Sequence, residues 1–160
     1  MDLQIYDTLT KKIKKINIHN NKVFKFYCCG PTLYGVTHIG NFRTFIVQDI
    51  LRRILIFNNI NHLHVRNLTD IDDKIIKKAK EQKTTPKLLA KRFEKIYYED
   101  MKALKNNAVT KYARATDFIP QIISQIKTLI KKGYAYKLKD GYYFNIKKCR
   151  ECMLLVRMAY

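Results

Sequence analysis

Between Val23 and Leu68 the hydrophobic period changes twice, and that change leaves few folds open. Val23-Phe24-Lys25-Phe26-Tyr27-Cys28 is a short apolar, aromatic-rich run closed by Gly30-Pro31, which reads as a strand buried on both faces. From Asn41 the pattern becomes Phe42, Phe45, Ile46, Ile50, Ile54 and Phe57, which is helical spacing, with Asn41 as the N-cap and Asn58-Asn59 as the stop. Leu63, Val65, Asn67 and Leu68 then form a second strand, interleaved with His62, His64 and Arg66. Strand, helix, strand is a βαβ unit, so the two strands lie parallel with a right-handed crossover. Ligand-binding and reactive groups collect beyond the carboxyl ends of such strands, which places Cys28 to Asn41 and Asn67 to Asp73 at one edge.

The rest of the chain adds helices and a hairpin. Thr69-Asp70-Ile71-Asp72 resembles a capping box ahead of apolar residues at Ile71, Ile75, Ile76 and Ala79. Thr85-Pro86 starts another helix through Leu89, Phe93, Ile96, Tyr97, Met101 and Leu104, with proline suited to the first turn. A third helix spans roughly Phe118 to Lys132 and stops at Gly133, and Tyr134 to Leu138 with Tyr142 to Ile146 flank the turn Lys139-Asp140-Gly141. The expected class is α/β, with a parallel sheet followed by a helical and hairpin insertion.

Composition sets the remaining bounds. A chain of 160 residues with 47% hydrophobic and 12% aromatic residues can bury one core, which excludes a disordered polypeptide. No apolar run reaches the ~18 residues of a membrane span, and Met1 to Tyr6 is not a signal peptide, so a soluble, cytoplasmic protein with no membrane partner is expected. The net charge of +19 suits a polyanionic partner such as nucleic acid. It also suits codon bias, because Lys outnumbers Arg and Ile and Asn are abundant. The cysteines at 28, 29, 149 and 152 favour metal binding or catalysis over disulfides in a cytosolic setting, and Cys28 reads as a core residue.

Three ordered stretches carry a resemblance: Cys29-Gly30-Pro31-Thr32-Leu33-Tyr34, His38-Ile39-Gly40-Asn41-Phe42-Arg43-Thr44, and Arg66-Asn67-Leu68-Thr69-Asp70-Ile71-Asp72-Asp73-Lys74. With Arg114-Ala115-Thr116 and the turn at Asp140-Gly141, they resemble the amino-terminal half of the cysteinyl-tRNA synthetases, class I aminoacyl-tRNA synthetases. The resemblance covers about residues 3 to 148. It implies a Rossmann-type catalytic domain over 1–148, with a connective insertion beginning in its later part, and a divergent tail over 149–160. It further implies ATP-dependent activation of cysteine to cysteinyl-adenylate and transfer to tRNA(Cys), with magnesium accompanying ATP, by an enzyme that is monomeric at full length.

Site residues follow from the same resemblance. His38, Gly40 and Asn41 align with the ATP-binding motif, His38 and Asn41 being its catalytic positions; the family's usual second histidine is here Asn41, which still supplies a donor. A helix start offers unpaired N–H groups and a favourable dipole to phosphate, and glycine permits close approach. Cys29 aligns with the family's first zinc ligand, and a zinc that binds the substrate thiolate rejects serine. Gly30 and Thr69 align with residues facing cysteine. Asp72 and Asp73 read as helix-dipole partners rather than metal ligands, and His62 and His64 as ordinary polar residues on one side of a strand.

The family's other zinc ligands, its Lys-Met-Ser-Lys-Ser loop and its anticodon-reading region have no counterpart in this sequence. Cys149-Arg150-Glu151-Cys152 looks like half a zinc site, but the tail from Cys149 reads better as the product of a frameshift or premature stop. Two other readings share these residues. One is a non-catalytic nucleotide- or tRNA-binding module, and the other a cysteine ligase with a small-molecule acceptor.

Overall fold

The computed structural model describes residues 3–18, 22–106, 109–149 and 152. The chain divides into two units, one of His19–Asp117 and one of Met1–Ile18 with Phe118–Tyr160. A hairpin with no counterpart among the expected elements comes first. Strands β1 (Leu3–Asp7) and β2 (Lys12–Ile16) pair antiparallel from Leu3 opposite Ile16 to Asp7 opposite Lys12. The turn forms because the Asp7 carboxylate accepts from the Leu9 amide at 3.1 Å and the Thr10 hydroxyl at 2.7 Å, while Lys11 takes a positive φ.

The βαβ unit forms as expected. Strand β3 (Phe24–Cys28) leads through a loop to helix α1 (Ile39–Phe57) and back to β4 (His62–Leu68), parallel to β3 with Phe24 opposite His62 and Cys28 opposite Arg66. A third parallel strand extends the sheet. Helices α2 (Asp73–Glu81) and α3 (Pro86–Ala103) return the chain to β5 (Lys111–Arg114), giving the order β3-β4-β5. The two helices therefore make a second crossover within the sheet, and the four-residue strand they lead to is too short to register as a period in the sequence.

One face of this sheet carries the core. His64, Arg66 and Leu68 are buried on alternate positions of β4, over Phe45 of α1, Ile75 and Ala79 of α2, and Leu89, Ala90, Phe93, Tyr97 and Met101 of α3. Strand β3 is not buried on both faces: Phe24, Phe26 and Cys28 are half-buried, while Lys25 and Tyr27 are exposed. The core covers one face of this strand among the described residues, and Lys25 and Tyr27 lie on the other. His64 is no ordinary polar residue either, because it is 1% exposed and stacks on Phe26 at 4.4 Å between ring centroids.

The helix starts differ from the expected ones at two places. His38, not Asn41, caps α1, and Asp72, not Thr69, caps α2, its Oδ1 accepting from the Lys74 amide at 2.8 Å. Thr85 caps α3 with Pro86 in the first turn, as expected. Helix α1 also buries another stripe. Phe45, Asp49, Arg52 and Leu55 face inward, and Ile46, Ile50, Ile54 and Phe57 are exposed. Asp49 is tolerated inside because it accepts from Arg52 Nε at 2.9 Å and Arg53 Nε at 2.6 Å. Burial pushes its carboxyl up, but these two guanidinium groups outweigh burial and hold it below the usual range.

The 3-10 turn Ala115–Phe118 leads the chain into the other unit, where α4 (Ile119–Lys131) packs on β6 (Ala135–Leu138). Strand β6 pairs antiparallel with β7 (Gly141–Phe144), so the expected helix and hairpin are present, and Gly133 ends the helix with φ +74°. Cys149 and Cys152 are joined by a disulfide, contrary to the expectation that the cysteines serve metal or catalysis. Three residues of separation bring their Cα atoms to 5.2 Å, within bridging range. Among the described residues no helix is long and apolar enough to cross a membrane.

Candidate active site at the carboxyl ends of the parallel strands

Loops from three parallel strands are tied together where the sequence analysis places the site. After β3, Cys29 leaves its side chain exposed, and its carbonyl accepts from Gln48 Nε2 of α1 at 3.1 Å. The Gly30 amide donates to Asn67 Oδ1 at 2.8 Å, and Asn67 Nδ2 donates to Thr69 Oγ1 at 3.1 Å. The main chain closes the same seam, with Thr69 N donating to the Pro31 carbonyl at 3.0 Å and Leu33 N to the Thr69 carbonyl at 2.9 Å. Gly30 has no room for a side chain, because a Cβ there would lie 1.9 Å from the Asn67 carbonyl oxygen.

The β4 and β5 loops are joined by Asp70, whose carboxylate takes both the Thr116 amide, at 3.0 Å, and the Thr116 hydroxyl. The three acids of this stretch thus have structural work. Asp70 bridges two strand ends, Asp72 caps α2 and Asp73 sits in its first turn. Behind them, Arg114 donates to Glu94 of α3, which also accepts from the Tyr98 hydroxyl at 3.1 Å. Burial first, and then the Glu94 charge, push the Tyr98 phenol up to about 12.

At the start of α1, the His38 Nδ1 accepts from the Gly40 amide at 3.1 Å. That bond fixes the tautomer, since a neutral imidazole accepting at Nδ1 carries its proton on Nε2 and presents a donor there. Gly40 is held close for this reason: a Cβ on it would lie 2.9 Å from His38 Cε1. The first turn is less open than the sequence suggests, because the Gly40 amide is taken by the ring and the Asn41 amide bonds the His38 carbonyl at 3.0 Å. What it offers an anion is the helix dipole and the His38 Nε2 donor.

The structure brings Gly30 and Thr69 together through Asn67, sets Cys29 beside Gly30, and groups His38, Gly40 and Asn41 at one helix end. Among the described residues no three His, Cys, Asp or Glu side chains gather to hold a metal ion, and Cys149 with Cys152 forms a disulfide. Burial pushes the half-buried Cys28 thiol up, as suits a packing residue. Sequence reasoning missed Gln48 and Asn67, whose partners lie 19 and 37 residues away. The only hint was an amide side chain two residues ahead of Thr69 at a strand's carboxyl end.

Comparison with known proteins agrees with this geometry. The family described as tRNA synthetases class I (C) catalytic domain matches residues 15–158. The chain is 46% identical over 151 residues to the cysteine–tRNA ligase of Pyrococcus horikoshii, covering 94% of this chain and 32% of that protein. It is 48% identical over 149 residues to that of Pyrococcus furiosus, covering 93% and 31%, and 44% identical over 146 residues to that of Methanococcus maripaludis, covering 91% and 31%. The chain thus spans about a third of the length of the curated relatives it matches. In fold it is similar to Agrobacterium radiobacter K84 agnB2 LeuRS, solved in a ternary complex with tRNA and LeuAMS, with a TM-score of 0.61 at 20% identity over 71% of this chain and 15% of that one. A parallel sheet with its loops converging at the carboxyl ends, and a family match over most of the sequence, lead to one assignment: this chain belongs to the class I tRNA synthetase (C) catalytic domain family.

Proposed function

We propose that this chain contributes the amino-terminal part of the catalytic domain of a cysteine–tRNA ligase. The observation that carries the reading is the identity of 46% with a cysteine–tRNA ligase over 94% of the chain. In the reaction, a carboxylate oxygen of cysteine attacks the α-phosphorus of magnesium-bound ATP and pyrophosphate leaves. A terminal ribose hydroxyl of tRNA(Cys) then attacks the adenylate's carbonyl carbon and AMP leaves.

His38, Gly40 and Asn41 are assigned to ATP. The His38 Nε2 proton, made a donor by the bond at Nδ1, suits an oxygen on which charge builds as the phosphoryl transfers, and Asn41 adds an amide. Gly30 and Thr69 are assigned to cysteine, and Cys29, with its exposed thiol, to zinc. A four-coordinate zinc needs four donors, and the described residues supply one at this place, so they do not complete the ion's site. Residues 1–148 serve as the amino-terminal part of the domain, with α4 and the β6–β7 hairpin beginning the connective insertion. A net charge of +19 supports tRNA as the partner. We assign the enzyme to the cytoplasm and read it as monomeric at full length.

The test is cysteine-dependent exchange of pyrophosphate into ATP by the full-length protein, with serine as control. Exchange with cysteine and none with serine is expected. Salt-sensitive tRNA binding with no exchange would replace this reading by that of a non-catalytic tRNA-binding module, and aminoacylation of a small thiol or amine instead of tRNA by that of a related cysteine ligase.

A further inference from the structure

Asn67 has no role in the reading above, yet its side chain touches both residues assigned there to cysteine. The orientation of its amide is fixed by its partner: the Gly30 N–H, 2.8 Å away, can only donate, so the atom facing it is Oδ1. Nδ2 therefore faces Thr69 Oγ1, at 3.1 Å, and donates to it. A hydroxyl has one proton and two lone pairs, and with one lone pair held by Nδ2 the Thr69 proton is free to donate elsewhere. Thr69 itself cannot drift, because its amide and carbonyl are bonded to Pro31 and Leu33. Gly30 cannot drift either, packed so that even a Cβ would meet the Asn67 carbonyl oxygen.

We propose that Asn67 is a positioning residue that clamps Gly30 to Thr69 and presents the Thr69 hydroxyl as a hydrogen-bond donor to the acceptor atoms of the bound amino acid. The inference rests on the assignment of Gly30 and Thr69 to cysteine. It assigns what that contact offers: the Thr69 proton, which a carboxylate or thiolate of the substrate can accept, beside one remaining lone pair on Oγ1.

Asn67→Asp separates the two halves of the proposal. A carboxylate still accepts from Gly30, but it also draws the Thr69 proton to itself and takes the donor from the substrate. Asn67→Ala removes both bonds. In the full-length protein Asn67→Asp is expected to raise the KM for cysteine about tenfold while the KM for ATP stays within about twofold, the size of one hydrogen bond to a charged group. Thr69→Val is expected to do the same, and the double variant to be no worse than either single one. Effects that add, or a KM for ATP that rises with that for cysteine, would overturn the donor role. Amide hydrogen exchange at Gly30 tests the clamp without reference to activity. It is expected to be slow in the wild type and in Asn67→Asp and fast in Asn67→Ala, and slow exchange in Asn67→Ala would overturn the clamp. A wild type that exchanges no pyrophosphate with cysteine would remove the functional assignment and the donor role with it, and Gly30 exchange would still decide the clamp.

Discussion

Gly30 and Gly40 both owe their lack of a side chain to close approach, but to different neighbours. At Gly30 the neighbour is the backbone oxygen of Asn67, which cannot yield, and at Gly40 it is the ring of His38, which can turn aside. Both positions stood out in the sequence, whereas these reasons lie in the packing. His64 shows the limit more sharply. Alternation put it on a face with His62 and Arg66, and only the packing of Phe26 over it made it a core residue. Its surroundings hold it neutral: burial first, then the charges of Arg66 and Arg52, with His62, push its pKa from 6.5 down to about 4, and Asp49 opposes them weakly. The sign follows from linkage. Above pH 6.5 neither state is protonated, and between 6.5 and 4 only the unfolded chain takes up the proton, so stability falls as pH falls through that window. The loss is expected to reach about 3 kcal/mol near pH 4. Urea unfolding at pH 7.5 and pH 4.5 should show it, and His64→Phe should remove most of the pH slope.

Helices dock on this sheet through a few polar contacts set within apolar ones. Arg66, fully buried on β4, donates from Nη1 to the Tyr97 hydroxyl of α3 at 2.9 Å and lies over the Phe45 ring of α1 at 4.8 Å. Tyr97 also meets the ring of Tyr112 of β5 edge-on, with ring centroids 6.2 Å apart, and the Tyr112 phenol is pushed up by burial first and then by Tyr97. One side chain thus joins α3 to two strands. Tyr97→Phe is expected to cost about 1.5–3 kcal/mol, the range for a bond to a charged group, and chemical denaturation measures it. A loss below about 0.5 kcal/mol would mean that Arg66 is satisfied elsewhere. Nothing in the sequence marked this pair, since a strand arginine and a helix tyrosine 31 residues on are unremarkable separately. Helix α1 was legible as a helix but not in its orientation. Phe42, Phe45, Asp49 and Arg52 and, on the other side, Val47, Ile50, Ile54 and Phe57 both recur at helical spacing. Hydrophobicity alone ran Phe42 and Phe45 together with Ile46, Ile50, Ile54 and Phe57, and the Asp49–Arg52–Arg53 group made the first stripe the buriable one.

At the scale of the molecule, that second stripe remains exposed: Val47, Ile50, Ile54 and Phe57 line one side of α1, with Phe57 at 87%. An apolar face of this kind favours association, and the chain spans about a third of its curated relatives' length. Taken alone, the 160-residue chain is expected to self-associate, and Ile50→Glu to reduce association with a stability change within about 0.5 kcal/mol. Sedimentation velocity at several concentrations checks this, and equal association of both proteins would place the sticky surface elsewhere. The sequence by itself determined the βαβ unit, the strand ends at which the loops converge, the α3 cap and the family, because each is written in local period, turn chemistry or contiguous motif. Tertiary structure alone decided which face of α1 is buried, that α2 and α3 return to a third parallel strand, and that Asn67, Gln48 and Asp70 tie the loops. These contacts join residues 19 to 46 positions apart, and a contact between distant residues leaves no period along the chain that makes it.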